Sequence, residues 1–123
     1  MYLKSYYTTY NIVRGDNVAI QVSSELLDGC VLAILSNQDY YGYALTQRVQ
    51  QAIKVSESTM YPVLRRLKKN GWLTTYDEPY QGRNRRYYQI TADGKLHLAT
   101  IRGDWTEFKT GIDSMLGDEN NHG

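Results

Sequence analysis

Ser56-Glu57-Ser58-Thr59-Met60-Tyr61-Pro62-Val63-Leu64-Arg65-Arg66-Leu67-Lys68-Lys69-Asn70-Gly71-Trp72 is the segment on which the fold turns. Its first residues offer capping hydroxyls for an incoming helix. Met60, Val63, Leu64 and Leu67 fall on one face at helical spacing, and Asn70-Gly71 is a usual C-terminal stop. Proline deep inside a helix costs about 3 kcal/mol, so Pro62 places the start of the regular helix near Ser58 or Thr59. With Met60, Leu64 and Leu67 on the core, a step of roughly 100° per residue turns Ser58, Pro62, Arg65 and Lys69 outward. Tyr61 and Arg66 fall on the flanks. The outward face therefore carries a hydroxyl at the positive end of the helix dipole and a ladder of cations behind it. Such a face holds phosphate and reads guanine.

Working outward, the chain before this segment reads as two helices. From Val18 to Leu35 the pattern becomes helical and then too apolar for a surface helix, which predicts a buried first helix ending near Ser36-Asn37. Cys30 lies inside that apolar run and reads as a buried thiol. After the Tyr41-Gly42-Tyr43 break, Ala44 to Ile53 places Leu45, Val49 and Ile53 four apart, as a short amphipathic helix does. Residues 1–16 show no helical period and are consistent with an arm, an extra strand or a frayed leader.

Beyond Gly71 the period changes to two. Trp72 to Tyr76 and Arg86 to Ile90 are rich in aromatic and β-branched residues, and between them Glu78 to Arg85 forms a polar stretch with Pro79 and Gly82. That predicts a β-hairpin with a basic tip. Thr91 then caps a last helix whose apolar positions are Leu98, Ile101, Trp105, Phe108, Ile112 and Met115. Alternating steps of three and four make the seam of a coiled coil, which suits pairing with another helix better than burial under a sheet. Residues 117–123 form a polar tail.

Composition narrows the function. Cys30 is the only cysteine, so no internal disulfide and no cysteine-cluster metal site is available. No apolar stretch approaches the roughly 20 residues of a membrane span, and no signal-peptide pattern opens the chain, so a cytoplasmic protein is expected. The net charge of +1 hides a segregated layout: seven basic residues against Asp77 and Glu78 between Arg65 and Arg86, and a mainly acidic stretch after Gly103. Local basic surface is what attracts phosphate. No phosphate loop, dinucleotide fingerprint, zinc-ligand spacing or Ser-His-Asp set occurs, so neither a cofactor nor catalysis is expected. His97, on the last helix, reads as a solvent or interface residue. The 12 tyrosines suit amphipathic surfaces without naming a chemistry.

Three helices, a two-stranded basic hairpin and a long helix make a mainly α chain with a β-wing: a winged helix-turn-helix over 17–91 and a C-terminal dimerisation helix over 92–116. In that architecture the third helix enters the major groove and the hairpin reaches the neighbouring backbone. The competing reading is a winged helix turned protein-interaction module. Modules of that kind keep the fold and lose the basic ladder, whereas this chain keeps Arg65, Arg66, Lys68, Lys69 and the wing arginines.

Gly42-Tyr43-Ala44-Leu45, the segment Ser56 to Leu67, Asn70-Gly71-Trp72-Leu73 and the run Gly82 to Gly94 together resemble the PadR family of winged-helix regulators. The likeness spans about residues 26–116 and is most specific in Thr59 to Leu67 and Arg86 to Thr91. It departs at Asn84, where proline is frequent, and in the tyrosine-rich leader. The resemblance implies a homodimer built through the last helix, repression at a pseudo-palindromic operator in double-stranded DNA, and release by a small molecule or stress signal. It assigns DNA contacts to Ser58, Thr59, Tyr61 and Arg65 with Arg83 and Arg85 on the wing; Arg66 and Lys69 join them from the charge pattern. Tyr88 and Ile90 become core positions. In the short, LmrR-like multidrug-sensing branch, a last-helix tryptophan lines a pore at the dimer interface. Trp105 holds that place here, with Gly29 leaving room opposite. Trp105 then stacks a planar aromatic ligand, or is simply an interface residue.

Overall fold

The computed structural model describes residues 20–117, in the order α1 (Ser24–Leu35), β1 (Tyr40–Tyr41), α2 (Gly42–Gln50), α3 (Glu57–Lys69), β2 (Leu73–Tyr80), β3 (Arg83–Ile90) and α4 (Ala92–Leu116). The expected leader over 1–16 and all but the first residue of the expected tail lie outside the described residues. The chain is mainly helical with a small antiparallel wing. Its core gathers Leu27, Val31, Leu32 and Leu35 of α1, Leu45 and Val49 of α2, and Met60, Val63, Leu64 and Leu67 of α3, closed by Leu73 and Leu98. Tyr88 and Ile90 pack against it from the wing.

Helix ends follow local chemistry. Ser23 caps α1 by accepting the Leu26 N–H at 3.1 Å, later than the expected start at Val18, because Ile20 to Val22 are not helical. α2 begins at once after β1 and ends at Gln50, three residues short of the expected end. The α3 cap is Ser56, whose Oγ accepts the Thr59 N–H at 3.1 Å. Pro62 is thus the sixth helical residue, not a first-turn one; it stays on the solvent side, and the Ser58 carbonyl gives up only one helical partner. At the other end, Gly71 adopts φ +78°, its N–H bonds the Lys68 carbonyl, and the Trp72 N–H bonds the Leu67 carbonyl. These two bonds are a Schellman closure, and they aim the chain from α3 into the wing.

The wing is longer than expected. β2 and β3 pair from Leu73↔Ile90 to Tyr80↔Arg83, leaving only Gln81 and Gly82 as the turn. Both have positive φ, 50° and 79°, as a type I′ hairpin requires. Pro79 reads as a strand breaker, but β2 is an edge strand and Pro79 sits one pair away from the turn. At such a position the backbone nitrogen faces outward and no ladder bond is lost. A two-residue strand, Tyr40–Tyr41, completes a sheet of order β1-β3-β2; it carries too few residues for a periodic signal.

α4 is anchored at its start. Thr91 Oγ1 accepts the Gly94 N–H at 2.9 Å and donates to the Gly71 carbonyl at 2.6 Å, while the Thr91 N–H bonds the Trp72 carbonyl. A methyl group at Gly94 would stand 2.0 Å from that same Trp72 carbonyl oxygen, so only glycine lets α4 approach so closely. His97 then stacks flat on Trp72, with ring centroids 3.5 Å apart. This stacking half-buries a residue expected to face solvent or an interface.

Candidate nucleic-acid interface

The outward side of α3 is as the helical period demands. Met60, Val63, Leu64 and Leu67 are buried, while Ser58, Thr59, Tyr61, Arg65, Lys68 and Lys69 are exposed. The Ser58 and Thr59 hydroxyls each lie 2.9 Å from Ser56 Oγ, so the capping side chain also orders the two hydroxyls at the helix start. Tyr61 lies near enough to Tyr88, at the base of the wing, to push that hydroxyl's pKa up alongside the larger effect of burial, with Arg86 pulling the other way. α3 packs against β2, and Tyr88 of β3 lies on the core cluster that includes Met60, Val63 and Leu64, so the helix and the base of the wing adjoin.

Two arginines expected to contact DNA have partners within the chain. Arg66 turns inward and bonds the Asp28 carboxylate on α1. Its guanidinium is already engaged within the chain, whereas the sequence placed it among DNA contacts. Burial pushes the Asp28 carboxyl above the usual carboxylate range, and the Arg66 guanidinium pulls it back. Arg85 lies between the Tyr41 and Tyr80 rings, 3.6 Å from each centroid. Such a cation–π sandwich braces the outer half of the wing against β1. Arg83 stands exposed beside the turn, and Arg86 makes only a loose 3.3 Å pair with Asp77, of little energetic weight at the surface.

The sheet's outer face also holds an arrangement that the sequence did not announce. Tyr76 donates to Asp39 at 2.6 Å and Gln89 donates to the same oxygen at 3.3 Å. The bond to Asp39 pushes the Tyr76 hydroxyl up to about 12, so it stays neutral and rigid. Tyr87 stacks on Tyr76 at 5.5 Å and meets Tyr41 at 5.9 Å. Much of the tyrosine excess is thus spent on stiffening the wing.

Between them, α1 and α4 enclose an open apolar cavity of about 390 Å³. Val22, Leu26, Cys30, Leu98, Ile101 and Trp105 line it, with Arg102 as its charged member. Cys30 is exposed here and not buried as expected, because it points from α1 away from the core; nearby apolar atoms still push its thiol pKa up. Gly29 borders the cavity, but the room it leaves is filled: an added methyl would meet Ile101 Cγ2 at 2.5 Å. The glycine serves close packing of α1 on α4. Leu98 and Ile101, read as dimer-seam residues, are buried within the chain's own core. Trp105, Phe108 and Met115 are 43%, 57% and 73% exposed, and Leu116 adds to this uncovered face. No group of acidic, histidine or cysteine side chains suited to a metal occurs among the described residues.

The sequence profile described as the transcriptional regulator PadR-like family matches residues 31–100, more than half of the chain. The chain belongs to the PadR-like family. Among solved structures, smu.1704 from Streptococcus mutans UA159 is 38% identical, with a TM-score of 0.74 over 80% of this chain and 93% of that one. The PadR-like transcriptional regulator BC4206 from Bacillus cereus is 31% identical, with a TM-score of 0.68 over 76% of this chain and 94% of that one. An uncharacterised protein from Lysinibacillus sphaericus is 34% identical over 73% of this chain and 87% of its own length. The family is one of DNA-binding transcriptional regulators. Among the described residues no helix is long and apolar enough to cross a membrane.

Proposed function

We propose that this PadR-like chain is a homodimeric repressor that grips a pseudo-palindromic operator and releases it when a planar aromatic ligand fills the cavity between α1 and α4. The observation that carries the reading is the exposed cationic side of α3, with Arg65 and Lys69 behind an ordered hydroxyl cluster, adjoining a wing that presents Arg83. α3 enters the major groove with Ser58, Thr59 and Tyr61 leading and Arg65 reading a base edge; Arg83 takes a backbone phosphate. The exposed Trp105, Phe108 and Met115 of α4, with the half-buried Ile112 between them, meet the same residues of a second copy.

Titration of a duplex selected from a random pool, repeated at rising salt, tests the DNA contacts. Binding weakens steeply with salt because each neutralised phosphate releases counterions. Arg65→Ala costs about 1–3 kcal/mol on the selected sequence and relaxes preference at one base pair. Arg83→Ala weakens binding to all sequences alike and lowers the salt slope by about 1. Wild-type binding by both variants would remove the contact assignment.

For the ligand, Trp105 fluorescence is quenched by planar aromatic dyes, and Trp105→Ala abolishes the saturable part of that quenching. Quenching unchanged in the variant would mean that Trp105 serves the interface alone.

A further inference from the structure

Asp28 is, with Thr46, one of two buried polar side chains among the described residues, and the only charged one. It sits on α1 inside an otherwise apolar run, where an unpaired carboxylate is strongly disfavoured. Its partner is Arg66 of α3, whose side chain is 39% exposed against 8% for Asp28. Glu25 and His97 are the other titratable groups close enough to influence it, and neither is hydrogen-bonded to it. The pair therefore fastens the recognition helix to α1 at one defined point. That point lies between Leu26 and Gly29, two α1 residues that line the cavity.

We propose that Asp28 and Arg66 form an internal strut that sets the seat of α3 on α1, so that Arg66 serves DNA binding as a positioning residue and touches no phosphate. The proposal rests on α3 being the recognition helix. Three features support it. The guanidinium is directed to α1 while its neighbours Arg65, Lys68 and Lys69 are exposed. Freeing it to reach DNA would strand the buried Asp28 carboxylate, a cost that a new bond to phosphate would have to offset. The pair also joins the cavity-bearing helix to the DNA-bearing one, so a shift of α1 on ligand binding would be passed to α3 through it.

The two roles of Arg66 separate in a mutant cycle read by affinity and by salt slope, on the duplex selected from a random pool. The variants are Arg66→Met, Asp28→Leu and the two combined, with the folded fraction of each fixed by stoichiometric DNA titration. Apolar residues of similar size often replace a buried ion pair without loss of stability, so the combined variant keeps the fold even where a single variant does not. For a strut, each single variant that folds binds about tenfold or more weakly, the combined variant returns to within about threefold of wild type, and the salt slope stays constant. For a phosphate contact, the combined variant binds as weakly as Arg66→Met and its slope falls by about 0.9. That second result overturns the proposal. Failure of all variants and of the wild type to bind any duplex would instead overturn the assignment of α3 as recognition helix.

Discussion

A chain carrying Phe108→Glu and Ile112→Glu is expected to sediment as a monomer and to bind its operator roughly a thousandfold more weakly than wild type. The effect follows from what α4 leaves uncovered. Leu98 and Ile101 are covered by α1, but the same helical stripe continues past them through Trp105, Phe108, Ile112 and Met115, with no described part of the chain over its distal half. A stripe of this width at alternating three- and four-residue steps pairs with a like helix. Two carboxylates placed on it oppose two more across a twofold axis, in a setting where they lose water and gain no cation. A monomer keeps one recognition helix and one wing, so it loses the second, effectively intramolecular binding event. Phe108 and Ile112 lie outside the α1–α2–α3 core, so the variant still unfolds cooperatively, at a temperature lowered only by the lost dimerisation energy. A variant that stays dimeric would place the interface elsewhere.

The second large effect concerns stability. Gly94→Ala is expected to lower the unfolding free energy by about 3 kcal/mol, measured as a fall in the urea midpoint at constant slope. The added methyl meets the Trp72 carbonyl oxygen at 2.0 Å and Ile90 Cγ1 at 2.8 Å. Backbone must give way, and it is the same carbonyl that accepts the Thr91 N–H. The first turn of α4, the end of the wing and the exit from α3 are thus moved together. Gly103→Ala is the control: it lies on the same helix with nothing within 4 Å of the added atom. That substitution should raise stability by up to about 1 kcal/mol, through helix propensity alone.

Much of the architecture was legible because each element carries its own period. The core face of α3, the cap at Thr91 and the Asn70-Gly71 stop all depend on a few adjacent residues, and local chemistry decided them. The wing's length was hidden because Pro79, Gly82 and Asn84 look like loop residues; only the pairing of β2 at a sheet edge makes Pro79 acceptable as strand. The site was legible in its outline and less so in its details. Charge spacing put Arg65, Arg66 and Lys69 on one helix, but helical spacing cannot say which arginine is claimed by a carboxylate 38 positions away. The signal for that was present in another place: Asp28 is the one charge between Leu26 and Leu35, and a charge in such a run requires a partner. The sandwich of Arg85 between Tyr41 and Tyr80 has no comparable signal, since it depends on the sheet register.

The proposed function requires two copies of α3 and of the wing to face one DNA duplex. Hydroxyl-radical footprinting of the complex, with its mass measured by sedimentation, reads that arrangement out. The expected result is two chains per duplex and two protected segments about 10 base pairs apart, centre to centre, with minor protection outside them from the wings. One chain per duplex with a single protected segment would contradict it.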